Sequence, residues 1–314
     1  MVSVQSGGPY QYIFGPVASR RLGRSLGIDL LPRKACTESC VFCEVGRTTC
    51  LTLERREYVP ADAVIAEFRD WVARGGSADC VTLSGAGEPT LHSRFGDVLG
   101  AVRGACFFRT ALLSNGTLLW MNEVRRAAAA AHIVKVSLSA WDQASFEAVN
   151  RPHPDLRFDR VLGGMRAFRE EFAGELWMEV FILRGMNDRA ESVRRIAELA
   201  VTVRPDRIQL NTVVRPPAER ESLPVSADVL AELAALFTPE ATVIASFQGS
   251  PGGQAGADEA AILGLLRRRG CTVEDVAGGF SLEREATRRV LDSLVSRGKA
   301  RTELADGAVH YRAV

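Results

Sequence analysis

Between about residues 26 and 248, short β-rich runs alternate with amphipathic helical runs, and this alternation limits the fold more than anything else in the chain. The strand candidates are SLGIDLL (25–31), CVTLSG (80–85), TALLSNG (110–116), IVKVSLS (133–139), WMEVFIL (177–183), RIQLNTVV (207–214) and ATVIASF (241–247). Between them lie helical runs with apolar residues at the 3.6-residue period, among them AVIAEFRDWVARGG, entered at Pro60 and closed by Gly75 and Gly76. Strands of Val, Ile and Leu joined through helices make parallel β/α units. Six or seven such units within ~220 residues suit an α/β fold of partial or full (β/α) barrel type better than an open sheet.

The composition changes at GSPGGQAG (249–256), which reads as a linker. The sequence divides accordingly into a barrel with an N-terminal extension (1–248), the linker (249–256) and a small C-terminal domain (257–314). That domain holds three short helical runs, with Thr272 and Ser281 as N-caps and Gly270 and Gly298 as stops, then two strands about an Asp306-Gly307 turn. Three helices and a hairpin make a winged helix. On or just after its third helix lie Arg284, Arg288, Arg289 and Arg297, offset by Glu283, Glu285 and Asp292, so docking or lid duty ranks ahead of RNA, and RNA ahead of DNA. Net charge of +1 over 314 residues demands neither nucleic acid nor an anionic membrane. No run reaches the ~20 apolar residues of a membrane span. The opening MVSVQSGGPYQYIF lacks a basic stretch followed by an apolar one, so a cytoplasmic location is expected.

In a (β/α) barrel the reacting groups sit on loops after the strands. The polar clusters fall there: SGAGEPT (84–90), SNGT (114–117), SAWDQ (139–143), NRPHP (150–154), RGMNDR (184–189) and NTVVRPPAER (211–220). The first such loop, ACTESCVFCEVGRTTC (35–50), holds four of seven cysteines. An odd count in a chain without a secretory signal argues against a disulfide framework, so this cluster is metal-binding or redox-active. Cys80, Cys106 and Cys271, in apolar surroundings, read as small buried hydrophobes. A Cys₄ zinc site prefers two separated pairs.

The spacing Cys36-x₃-Cys40-x₂-Cys43, with Phe42 before the third cysteine, resembles the radical S-adenosylmethionine (SAM) superfamily. The resemblance implies that these three cysteines ligate a [4Fe–4S] cluster whose fourth iron binds SAM, leaving Cys50 outside the ligand set. It further implies that Ala86-Gly87-Glu88-Pro89 is the SAM-binding Gly-Gly-Glu-Pro segment with alanine first. Ser114 and Asn115 match the family's Thr-Asn-Gly, Ser139 stands near the ribose position, and Ile182 with Asn187 stand where relatives hold adenine and the SAM carboxylate. The stretches IFGPVASRRLGRSLGIDLL, REYVP and LNTVVRPPAE are similar to the molybdopterin-type and wyosine-type members.

A radical SAM enzyme with an unidentified substrate is the implied function, supplied with electrons by a flavodoxin or ferredoxin. A tRNA- or peptide-modifying enzyme and an iron–sulfur redox-sensing DNA-binding regulator are the alternatives. Arg20, Arg21, Arg24, Arg151, His153 and Arg215 are the substrate candidates, suited to an anionic group on a small molecule, a peptide or RNA. Catalytic residues are not assigned. Of three lysines, only Lys135 lies on a strand candidate.

Overall fold

The main sheet opens with an antiparallel pair, β1 (Ile13–Ser19) and β2 (Gly23–Ile28), in a computed structural model that describes residues 10–19, 21–32, 34–105, 108–244, 259–268, 270–280, 282–305 and 308–314. The loop after β2 carries a small parallel pair of its own, β3 (Ala35–Cys36) and β4 (Cys50–Leu51). The alternation then runs α1 (Ala61–Ala73), β5 (Cys80–Leu83), α2 (Phe95–Gly104), β6 (Arg109–Leu113), α3 (Asn122–Ala128) and β7 (Ile133–Ser137). It continues through α4 (Gln143–Asn150), α5 (Phe158–Glu171), β8 (Glu175–Phe181), α6 (Ala190–Val203), β9 (Arg207–Asn211), α7 (Ala227–Ala234) and β10 (Thr242–Val243). Spatial order is β1-β2-β5-β6-β7-β8-β9-β10, parallel from β2 onward. Among the described residues β1 and β10 do not pair, so the sheet curls into a partial barrel.

Strand alternation divides the side chains between two faces. One face packs Leu26, Val81, Leu112, Val134 and Val180 against helix residues such as Phe68, Phe95 and Phe168. In α1, Val64, Phe68 and Trp71 return to that core at helical spacing, and Gly75 at φ +80° turns the chain out. The opposite face, turned away from the helices, is the lumen of the barrel. Leu22, Cys80, Ala111, Ile133 and Trp177 fill one end of it.

The seven strand candidates all appear, each ending earlier than expected and with β2, β6 and β8 beginning one or two residues sooner, whereas β1 falls on no expected strand. Gly15-Pro16 lies at an irregularity in its register with β2, between Phe14 and Val17, which breaks the alternation that marks a strand. The expected linker lies outside the described residues.

Beyond it, α8 (Glu259–Arg268), α9 (Val273–Phe280), α10 (Arg284–Ser296) and the antiparallel hairpin β11 (Ala300–Ala305) with β12 (Ala308–Ala313) form a second unit. Thr272 caps α9: its hydroxyl accepts from Asp275 N, and its own N–H bonds the Asp275 carboxylate, both at 3.1 Å. Ser281 and the Asp306-Gly307 turn lie outside the described residues. The cap of α10 is Glu283, whose carboxylate accepts from Glu285 N at 2.9 Å and Ala286 N at 2.7 Å. Core residues of this unit, among them Leu265, Val276, Leu291 and Tyr311, continue onto Val17 of β1, so the antiparallel edge of the sheet is covered. Among the described residues no helix is long and apolar enough to cross a membrane.

Candidate active site

The cysteine loop leaves the lumen end of β2 and is stitched back onto itself. Thr49 and Cys50 donate backbone N–H groups to Lys34 O at 3.2 and 3.1 Å, and Thr52 N reaches Cys36 O at 3.0 Å. Cys50 therefore closes the neck of the loop opposite Ala35. The far side is tied to the C-terminal end of α4 and the segment after it: Ser39 N bonds Asn150 O and Val41 N bonds Val149 O, each at 3.1 Å, and His153 N bonds Thr37 O at 2.9 Å.

Cys36, Cys40 and Cys43 are free thiols on this loop. Side-chain amides point at two of the sulfurs: Asn115 Nδ2 lies 3.7 Å from Cys36 Sγ, and Asn150 Nδ2 lies 3.6 Å from Cys40 Sγ. Burial pushes the Cys36 thiol up, and Glu88, Glu38 and Cys43 add to it. Burial does the same for Cys40, reinforced by Glu38, Cys43 and Cys36. Burial also raises the Glu38 carboxyl to about 8, against the hydrogen bond it accepts from Cys40 at 3.3 Å. Among the described residues no three such groups gather tightly enough to hold a single metal ion. Three thiols on one loop, with amide donors on two of the sulfurs, fit one ligand for each of several irons.

The segment 86–89 lies against this loop. Asp29 accepts from Ala86 N at 3.2 Å, and Glu88 N reaches Ala35 O at 3.1 Å. A Cβ on Gly87 would stand 1.8 Å from the carbonyl oxygen of Ala35. The close approach that this glycine permits is therefore to the strand leading into Cys36. The Glu88 carboxylate, almost wholly buried, accepts from Thr90 N and Oγ1, from Ser114 Oγ at 2.7 Å and from Asn115 N at 2.7 Å. It locks the second loop to the third. Asn115 completes the join through Nδ2 to Thr37 Oγ1 at 2.8 Å.

Other expected contacts sit elsewhere. Ile182 is fully buried in the main core, so its side chain lines no open surface. Asn187, also fully buried, accepts from Leu183 N and donates to Ser139 O and Phe181 O, while Ser139 Oγ accepts from Phe181 N. These two residues staple the ends of β7 and β8 from within, because each polar atom is aimed at backbone. Pro89 starts a short 3₁₀ turn.

The arginines do not form one ring. Arg24 bonds Ser77 O and takes the Asp79 carboxylate on its backbone N–H, at the end of β2 away from the cysteines. Arg151 is drawn to Glu219 at 2.6 Å, and the His153 ring accepts from Asp155 N at 3.3 Å. Arg215 is buried between Glu44, beside Cys43, at 2.9 Å and Asp275 of α9 at 3.0 Å. Arg312 of β12 adds bonds to Glu44 O at 2.8 Å and Val45 O at 3.4 Å. Arg20 lies outside the described residues.

Among the described candidates Arg21 enters the lumen, where it meets a group of residues that the sequence did not mark as one. Its Nη1 lies 3.2 Å from Glu179 Oε1 and 3.3 Å from Gln209 Oε1. Lys135 Nζ lies 2.9 Å from Glu179 Oε2 and 3.2 Å from Ser137 Oγ, and Asn211 Nδ2 donates to Glu179 Oε1 at 3.0 Å. Burial opposes ionisation of Glu179, but Lys135 and Arg21 outweigh it and hold the carboxyl well below the usual range. The signal was present in IVKVS, ELWMEVF and RIQLN, whose polar residues recur with period two in strands destined for burial.

The sequence model of the radical SAM superfamily matches residues 31–200. A UPF0026 protein of Methanocaldococcus jannaschii is 35% identical over 226 residues, covering 71% of this chain and 70% of that protein. A protein named GTPase Obg from Brachyspira hyodysenteriae is 29% identical over 303 residues, 95% of this chain, which spans only 45% of that longer protein. In fold, the chain is similar to a radical SAM methyltransferase from Sphaerobacter thermophilus, with TM-score 0.53 and 17% identity over 70% of this chain and 65% of that one.

Proposed function

We propose, for a chain that belongs to the radical SAM superfamily, that Cys36, Cys40 and Cys43 hold a [4Fe–4S] cluster for reductive cleavage of SAM. The observation that carries this reading is the set of three thiols on one loop, with the amides of Asn115 and Asn150 directed at two sulfurs. When bound and reduced, the cluster supplies the electron that splits the SAM sulfonium and yields a 5′-deoxyadenosyl radical to act on substrate.

The protein's own residues build the seat for this chemistry. Asn115 and Asn150 offer N–H groups to sulfur, which favours the more negative, ligated form. Glu88 fixes Ser114 and Asn115 relative to segment 86–89, so the two loops present one rigid edge to SAM. The stack of Phe42 on Phe181, 4.2 Å between centroids and 12° from parallel, covers the loop beside Cys43 and excludes water there. A low-potential protein such as flavodoxin or ferredoxin is the electron donor in this reading.

The C-terminal unit reads as a winged helix that walls the cysteine loop. Arg284 pairs with Glu274 and Arg297 with Glu259 inside that unit, which supports a docking or lid role over DNA binding.

The test is anaerobic reconstitution with iron and sulfide, reduction with dithionite, and chromatography for 5′-deoxyadenosine after adding SAM. Wild type forms it; Cys43→Ala loses both iron and product, while Cys50→Ala keeps its iron. Full iron in Cys43→Ala, or a reduced cluster that leaves SAM intact, defeats the proposal.

A further inference from the structure

The interior of a (β/α) barrel is ordinarily filled by layers of branched apolar side chains. Here a polar layer interrupts them. Below it lies the apolar end that contains Trp177; above it, Phe181, Leu183 and Val213 pack with Val41 of the cysteine loop. Between the two, Arg21 and Lys135 converge on the single carboxylate of Glu179. A buried ion network stabilises a fold no better than well-packed apolar residues do, so packing alone does not explain one here.

Three observations turn this layer into a binding site. Two cations approach one carboxylate from its two oxygens, and their donors are not exhausted. Among the described residues Arg21 Nε and Nη2 make no hydrogen bond, and Lys135 uses two of its three N–H groups. The layer is also not sealed, for 17% of the Arg21 side chain and 12% of the Lys135 side chain remain accessible. Finally, Phe181, the next residue along β8 on the same face as Glu179, stacks on Phe42 beside Cys43. Whatever is held in the layer lies beneath the cysteine loop.

We infer that the substrate carries a carboxylate or phosphate group, and that this group binds the unused donors of Arg21 and Lys135 opposite Glu179. Two cations are then matched by two anions. Glu179 keeps both cations aimed into the lumen, and Gln209 and Asn211 hold Arg21 and Glu179 in place. The inference rests on the proposed function, since it treats the cysteine loop above the layer as the reaction centre.

The experiment uses reconstituted, SAM-saturated protein titrated calorimetrically with malonate, inorganic phosphate and uncharged malonamide. Malonate or phosphate binds saturably and malonamide does not; whichever anion binds tighter gives the acid of the substrate. Arg21→Met and Lys135→Met weaken that binding by on the order of ten-fold or more, as loss of a charged donor implies. Glu179→Gln tightens it, because the competing carboxylate is gone. A network that merely braces the barrel gives no such gain. The inference is overturned if neither anion saturates wild type and Glu179→Gln, or if binding is unchanged in both methionine variants. Iron content and SAM binding on the same samples isolate the cause: both intact with no anion site sinks this inference alone, whereas their absence from wild type sinks the proposed function.

Discussion

Gly87 shows how a short motif conceals its reason. The sequence marks it as a place for close approach, and the structure assigns the approach to Ala35 O, one residue before Cys36. Gly87→Ala should therefore displace the cysteine loop and lower both iron content and stability, by about 1–3 kcal/mol for overpacking of this kind. Gly100, with open space about its Cβ on α2, is the control. Gly100→Ala should stabilise by roughly 0.5–1 kcal/mol, the ordinary helix preference for alanine; denaturant midpoints and iron assays read both. Glu179 gives a pH signature. Its carboxyl titrates lower folded than unfolded, so its contribution is complete above the unfolded value of about 4.3 and fades as pH falls through the folded one. Glu179→Gln should cost on the order of 3 kcal/mol near neutrality, as for a buried pair deprived of one partner. The gap to wild type should close in strongly acidic buffer, as followed by urea denaturation. That the cysteines, segment 86–89 and Asn115 share one end of the barrel was legible because each follows a strand in local spacing. The inward burial of Ile182 and Asn187 was not, since only the folded sheet shows where their side chains turn.

At the scale of elements, the β/α alternation could be read because strands buried on both faces are nearly continuous apolar runs. β1 could not, for Gly15-Pro16 interrupts its period at the register shift. At the start of α10 the cap is Glu283, which was not read as one from the sequence, where a serine is the more familiar acceptor. Two backbone N–H groups hold the Glu283 carboxyl below its ordinary value, as expected of an acid at a helix N-terminus. Glu283→Ala should lower the thermal midpoint, whereas Glu283→Asp, which keeps the carboxylate, should retain most of it; differential scanning calorimetry separates the two.

Across the whole molecule, composition offers a place to divide the chain at 249–256, but how the helices and hairpin after it attach to the sheet could not be read, because it depends on residues far apart in sequence. Arg215 is where the attachment concentrates, bridging Glu44 of the cysteine loop and Asp275 of α9. Arg215→Met removes the cation from two carboxylates and should cost about 3–5 kcal/mol. Adding Glu44→Gln and Asp275→Asn should recover much of that loss. The rate of Cys43 alkylation in iron-free protein should rise in the single variant and fall back in the triple one. A single midpoint shift equal to that of an exposed arginine would show the bridge to be unimportant. The contact of Arg312 with Glu44 spans 268 positions of sequence, and it orders events during synthesis. The ribosome completes the cysteine loop roughly 10–50 s before it reaches that arginine, at ordinary elongation rates. For that interval the cysteine loop stands on a nascent chain without its bonds from β12 to Glu44 and Val45, and only the last strand to be made supplies them.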